Sequence, residues 1–173
     1  MAAQNILGAT MSTAQQSFTI RPATEADAES IVALINDAFR IVESFFVEGN
    51  RITLKEVREY LQLGEFLLAE DNNRLIACVY LEPRGERTYL GLLSVDPTLQ
   101  KAGIGSLLMT AAEERWRERN AKYIDILTVS LREELSAFYG KRGYVKTGTS
   151  PFPADVKTKL PVHFVNMSKR LDS

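Results

Sequence analysis

The stretch Gln100-Lys101-Ala102-Gly103-Ile104-Gly105-Ser106 combines residue types and spacing suited to holding an anion. It follows an apolar run, Tyr89 to Val95, that Asp96-Pro97 stops, because Pro has no amide to give a sheet ladder. After it, Leu107, Leu108, Ala111, Ala112 and Trp116 recur at helical spacing, with Glu113 and Arg117 expected one turn apart on the outer side. The unit is strand, glycine turn, helix. The first amides of a helix have no acceptor within it, and the macrodipole adds partial positive charge at the same end. Glycines remove the side chains that would hold a phosphate away from those amides. Gly103 and Gly105 can therefore admit a pyrophosphate, with Lys101 near it. The nucleotide-binding alternatives do not fit. A P-loop needs Lys then Ser or Thr after its last Gly, where Ser106-Leu107 stand, and a Rossmann turn needs a third Gly where Leu108 stands. Read alone, the G-x-G turn is equally a helix start with glycines for tight packing.

Two further side chains could move protons. Tyr139 shares a helix face with Leu135 and Phe138, so its spacing makes it a core aromatic, but its phenol is also a donor. His163, the only histidine, sits between Val162 and Phe164 in an apolar strand. Such a residue is commonly structural. An imidazole of pKa ~6.5 is also suited to accept an ammonium proton near neutral pH.

Read together, the strand, Val95-Asp96-Pro97, Gln100 to Gly105 and the Ala/Leu-rich helix resemble the acetyl-CoA motif [Q/R]-x-x-G-x-[G/A] of the GNAT superfamily of N-acetyltransferases. Ala137-Phe138-Tyr139-Gly140-Lys141-Arg142-Gly143-Tyr144 resembles that family's A-x-x-x-Y-x-x-x-G-[F/Y] element, with a shorter Ala-to-Tyr gap. The order and separation of the two elements are the family's, and the resemblance runs from Phe18 onward. It implies acetyl-CoA as co-substrate, bound by Leu93, Ser94, Val95, Gln100, Lys101, Ala102, Gly103, Ile104, Gly105 and Ser106. It implies strands that splay apart after Tyr89–Val95, with the pantetheine arm entering the gap as an added strand would. It places Tyr139 at the general-acid position and His163 beside the acceptor pocket. The connector with Phe45, Phe46 and Glu48 has two readings, a loop packing its aromatics into the core or, as the resemblance implies, an acceptor lid, where an acidic group near aromatics would suit a cationic amine.

The chain departs from the family at the base. Tyr89 and Leu127 stand where members carry a Glu, and Arg132 replaces a frequent Asn. Glu82, His163 or water relayed to backbone carbonyls remain as proton acceptors. The resemblance implies transfer of an acetyl group to a primary amine by direct attack. A small polyamine, an amino acid, an antibiotic, a protein N-terminus or a lysine would each serve as acceptor. The alternative is a non-catalytic acyl-CoA-binding module or sensor on the same fold.

The elements that must position these residues follow the chain. Residues 1–17 read as a loose extension and 18–171 as one domain, a size able to bury a sizeable core. Phe18–Arg21 reads as a strand. Thr24 with Asp27 forms a capping box before a helix with Ile31, Leu34, Ile35, Ala38 and Phe39 on one face. Thr53 caps a second helix that Gly64 stops. Strands Glu65–Glu70, Arg74–Leu81 and Tyr89–Val95 precede the glycine turn. Beyond the helix come strand Tyr123–Val129, helix Glu133–Arg142, strand Tyr144–Thr147, a Pro-containing loop and strand Pro161–Met167.

Consecutive hairpins followed by alternating elements predict an α/β (α+β) domain. The resemblance makes its sheet mixed and mostly antiparallel, with helices on both faces. The net charge of -1 argues against a broad nucleic-acid footprint. No apolar run reaches the ~20 residues of a membrane span. The single cysteine, Cys78, reads as a core thiol, and with no possible internal disulfide a reducing, cytoplasmic setting is expected. No metal is expected, and a homodimer is kept as a candidate assembly.

Overall fold

The structure, a computed structural model, describes residues 10–13 and 16–172. The extension expected over residues 1–17 falls largely outside them. Within the described part, β1 (Thr10–Thr13) pairs antiparallel with β2 (Gln16–Pro22), two residues earlier than the expected strand start. The remaining strands are β3 (Glu65–Asp71), β4 (Arg74–Arg84), β5 (Arg87–Val95), β6 (Tyr123–Val129), β7 (Val145–Pro151) and β8 (His163–Arg170). The helices are α1 (Ala28–Glu43), α2 (Leu54–Leu63), α3 (Ile104–Glu118) and α4 (Glu133–Lys141). One mixed sheet runs in the order β1-β2-β3-β4-β5-β6-β8-β7, antiparallel throughout except between β5 and β6.

Helices cover both faces. On one, α3 brings Ile104, Leu108, Met109, Ala112 and Trp116 onto Leu67, Val79, Leu81 and Leu90, and α4 adds Tyr139 to the same core. On the other, Ile31 and Ile35 of α1 and Val57 of α2 pack with Phe66, Leu68, Cys78 and Tyr80. Cys78 is fully buried, as expected of a core thiol, and burial pushes its pKa up to about 12. Thr24 and Asp27 form the expected capping box, now opening a 3-10 turn that leads into α1, and Thr53 with Glu56 caps α2.

Two expectations are corrected. Glu113 does not face outward. It is 5% exposed, accepts a hydrogen bond from Tyr144 Oη at 3.1 Å and pairs with Lys169 Nζ at 2.8 Å. Gly64 ends α2 as expected, with an extended rather than a left-handed backbone. Its φ is -156°, and a Cβ there would stand 2.3 Å from the Leu81 carbonyl oxygen, so glycine is required for the close approach of β4. The loop expected from Thr149 begins later, because β7 continues to Pro151 on the sheet edge, where a proline costs no ladder bond.

Candidate active site

The site forms where the sheet opens. β5 and β6 are paired only from Arg87–Tyr123 to Tyr89–Asp125. Beyond Tyr89, the edge of β5 that would face β6 is left open through Val95, while β6 continues in register with β8 as far as Val129–Phe164. This is the expected splay. A bulge sharpens it. Between the Tyr80–Gly91 and Cys78–Ser94 pairs, β4 advances two residues and β5 three. The extra residue is accommodated at Leu92, which adopts φ 55°, a left-handed conformation uncommon for a leucine. Its effect is to switch faces. Leu90, Leu93 and Val95 pack on the α3 side, whereas Tyr89 and Leu92 pack on the α1 side. Ser94 is buried, and its Oγ donates to the Leu92 carbonyl at 3.0 Å, so its side chain serves the bulge.

At the end of β5 the chain makes the glycine turn. Lys101 and Gly103 both have positive φ, 69° and 83°, on either side of Ala102. Successive amides in such a turn converge into a concavity that suits an anion. The first intrahelical donor is Leu107, bonding Gly103 O at 3.1 Å, so the amides of Ile104, Gly105 and Ser106 have no helical acceptor. Ile104 contributes only its amide, because its side chain is 2% exposed in the core and anchors the helix start. A Cβ on Gly105 would meet only Val95 Cγ2 at 3.6 Å and Leu93 Cδ2 at 4.0 Å. Packing within the chain therefore leaves room for a side chain there, and the glycine keeps open the space between β5 and the helix start. The donors and the room fit a pyrophosphate followed by an extended arm along β5.

Tyr139 sits on α4, which packs against β6. It is 7% exposed, and its ring is held edge-on by Phe138 and Tyr144 at centroid distances of 5.1 and 5.6 Å. Burial pushes its phenol up to about 12, Arg132 opposes that shift, and Tyr89 is near enough to add to it. The phenol is therefore protonated at neutral pH. Tyr89 folds back over Gly91, where a Cβ would stand 2.6 Å from the Tyr89 hydroxyl, and Arg84 stacks on its ring at 4.6 Å.

The other candidates are dispersed. Glu82 is beside Tyr89 across β4, but both of its oxygens are engaged, one by Tyr80 Oη at 2.8 Å and one by Arg84 Nε at 3.1 Å. His163 starts β8 at the open end of β6. It is exposed, and its backbone exchanges hydrogen bonds with Ser130. Phe46 is fully buried, while Phe45 is 50% exposed against it, so the pair packs the connector onto the core. Glu48 is exposed and pairs with Lys159 at 3.5 Å.

A cavity of about 220 Å³ lies instead beside the C-terminal end of α1, lined by Phe39, Glu43, Val47, Gly49, Arg51 and Lys159 among others. Glu43 and Arg51 do not figure among the sequence candidates. Glu43 directly precedes the Ser44-Phe45-Phe46 stretch and reads as one more polar helix-end residue. Arg132, at the family's Asn position, turns its guanidinium to within 3.9 Å of the Glu43 carboxylate. Among the described residues no group of three His, Cys, Asp or Glu side chains is placed to hold a metal ion, and no helix is long and apolar enough to cross a membrane.

Comparison with known proteins agrees with this geometry. Residues 62–146, which run from the end of α2 through the turn and Tyr139 to the start of β7, match the family model described as Acetyltransferase (GNAT) domain. The matched segment is of the GNAT superfamily. It is 33% identical over 84 residues to the uncharacterized protein YxbD of Bacillus subtilis (strain 168), a match covering 48% of this chain. The match spans about half of that relative, 51% of its length. Solved structures share the fold at low identity. The ribosomal-protein-S18-alanine N-acetyltransferase from Escherichia coli superposes with TM-score 0.72 and 13% identity over 90% of this chain and 95% of that one. Ard1 from Thermoplasma volcanium gives 0.74 and 19% over 89% and 97%. The GNAT fold explains the one parallel contact in the sheet. It is the place where two strands can part without unravelling a hairpin.

Proposed function

We propose that this GNAT protein is an acetyl-CoA-dependent N-acetyltransferase that acts on a primary amine by direct attack. The observation that carries the reading is the opening of the sheet after Tyr89–Asp125, with the Gly103 turn beyond the end of β5; Tyr139 would face it from α4. Bound acetyl-CoA would supply the acetyl group, activated as a thioester. The free amides of residues 104–106 and the Lys101–Gly103 turn would hold its phosphates, and the open edge of Leu93 to Val95 would pair with the arm as an added strand. Holding the two reactants in line accounts for much of the rate in such a transfer.

The amine nitrogen bonds to the acetyl carbon while the carbon–sulfur bond breaks. The neutral amine loses one proton, to water or a nearby base, and keeps one as the amide N–H, while the sulfur gains one. Tyr139 is the donor to sulfur. The burial that raises its phenol also raises a thiolate formed beside it, which keeps the transfer feasible despite the high phenol pKa. A cytoplasmic setting is part of the proposal, because it would keep Cys78 reduced.

The test is a panel of amines with acetyl-CoA, following release of free thiol, alongside calorimetric titration of acetyl-CoA. Binding together with amine-dependent thiol release is the expected result. Binding without release for every amine would make the protein a non-catalytic acyl-CoA-binding module. Absence of binding would remove the cofactor assignment.

A further inference from the structure

We infer that the cavity at the end of α1 is the acceptor subsite and that it reads a small zwitterion, with Glu43 taking the ammonium and Arg51 the acid group. The inference rests on the acetyltransferase reading and names its substrate class.

Glu43 is the decisive residue. It is 9% exposed, yet its carboxylate makes no hydrogen bond among the described residues, and the nearest cation, Arg132 Nη1, stands at 3.9 Å. A carboxylate this little exposed normally finds protein donors; the Glu43 oxygens are not among the fully enclosed unpartnered atoms, so their remaining access is through the cavity that Glu43 lines. Burial pushes its pKa up even though Arg51 and Arg132 pull the other way, as befits a carboxylate short of donors. An ammonium group would supply them.

Arg51 is the complement. The other cavity cations are occupied. Lys159 is paired with Glu48 at 3.5 Å and donates to Ser44 O at 3.1 Å, and Arg40 is paired with Asp37 at 3.1 Å. Arg51 has no carboxylate within ion-pair distance among the described residues, and its guanidinium lies over the Phe39 ring at 5.5 Å. Its backbone is fixed, because the Asn36 side-chain amide grips both the N–H and the carbonyl of Ile52, at 3.0 and 2.9 Å. A positioned guanidinium without a partner is suited to bind a carboxylate or another acid group by its planar fork.

The cavity adjoins the chemistry. Arg132, whose Nη1 stands 3.9 Å from the Glu43 carboxylate, is the N-cap of α4, the helix that carries Tyr139. Its volume of about 220 Å³ is below the ~300–1,000 Å³ of pockets for drug-sized ligands and suits a small amino acid. One wall of this half-open cavity is a pair of loops, with Val47 bridged to Thr158 and Lys159 N–H donating to Phe46 O at 2.8 Å. A peptide N-terminus would have its first carboxyl group consumed in an amide and would leave Arg51 unanswered.

The experiment compares each standard amino acid with its carboxamide, its decarboxylated amine and a dipeptide beginning with it, by thiol release and by calorimetry on the CoA-loaded protein. At least one free amino acid should exceed its amide and amine in kcat/KM by on the order of 10–100-fold, the value of one charge-assisted pair. Arg51→Ala should erase that preference by raising KM for the acid. Glu43→Gln should weaken binding of the amino acid in calorimetry while acetyl-CoA still binds. Equal or better use of amides, plain amines or dipeptides, or a preference that survives Arg51→Ala, overturns the zwitterion assignment and leaves the acetyltransferase reading standing. Failure to bind acetyl-CoA would overturn both.

Discussion

The two halves of the cleft are built from different materials. On the side proposed for the cofactor, the available groups are backbone: free amides at the start of α3, the open edge of β5 and the left-handed turn at Lys101 and Gly103. On the side proposed for the acceptor they are side chains drawn from distant parts of the chain: Glu43 from α1, Arg51 from the connector, Arg132 from the start of α4 and Lys159 from the loop before β8. Backbone groups are present whatever the sequence, so a short local pattern with glycine at the right places is enough to specify the first half. The second half exists only when four separate segments meet. The difference teaches that cofactor and acceptor recognition can change independently on this scaffold.

The strongest way to probe the boundary between the halves is Tyr139→Phe, which keeps the ring packed on Phe138 and Tyr144 and removes only the hydroxyl. Turnover should fall by roughly 10²–10⁴, with acetyl-CoA affinity and melting temperature nearly unchanged. A drop in stability matched by a drop in rate would make Tyr139 a core residue alone.

Gly105→Val tests the backbone half. The added branches would fill the space in front of Val95 and Leu93. Loss of one phosphate contact should weaken acetyl-CoA by about 10–100-fold. Calorimetry that finds wild-type affinity in a folded variant would mean that the turn does not hold the cofactor.

Gly103→Ala separates conformation from contact at the same turn. Nothing lies within 4 Å of a Cβ there, but φ is 83°. The expected cost is ~1–2 kcal/mol of stability from the left-handed backbone, seen as a melting temperature a few degrees lower. An unchanged melting temperature would show that the turn relaxes freely.

A pH series addresses the anchoring of α1, which carries Glu43. The Arg21 guanidinium, hydrogen-bonded to Asp27, is the main reason that Asp27 is lowered from 3.8 to about 2. A carboxylate lowered on folding contributes stability above its unfolded pKa and loses it as pH falls through the folded one. The contribution should be full above about pH 4 and disappear toward pH 2. Asp27→Asn should flatten that part of the stability curve, and chemical denaturation at pH 3 and 6 would reveal it.

The smallest effect is expected from His163→Asn. The side chain is exposed at the start of β8, and the bonds to Ser130 are made by the backbone. Turnover should change by no more than a few-fold. A flattened acidic limb in the pH–rate profile would instead make His163 the proton acceptor.

The sequence by itself determined what depends on local physics. Capping signals at Thr24 and Thr53, the helical and strand periodicities, and the glycine turn after Asp96-Pro97 suffice to place the main elements and the anion-binding end of α3. The paired motifs also carried the expectation that β5 and β6 part. Tertiary structure decided the rest, because it depends on which distant atoms meet. The bulge rests on a leucine at φ 55°, a conformation its own residue type disfavours and only the flanking ladders impose. Glu113 looks like a surface residue by helical spacing, yet it is buried because Tyr144 and Lys169 reach it from other elements. The acidic residue read as facing the acceptor, Glu48, is neutralised by Lys159, while Glu43, without a local signature, is drawn under the fold at the end of α1 beside Arg132. A charge's role is set by its burial and by its partners across the chain, and neither is written in its neighbours in sequence.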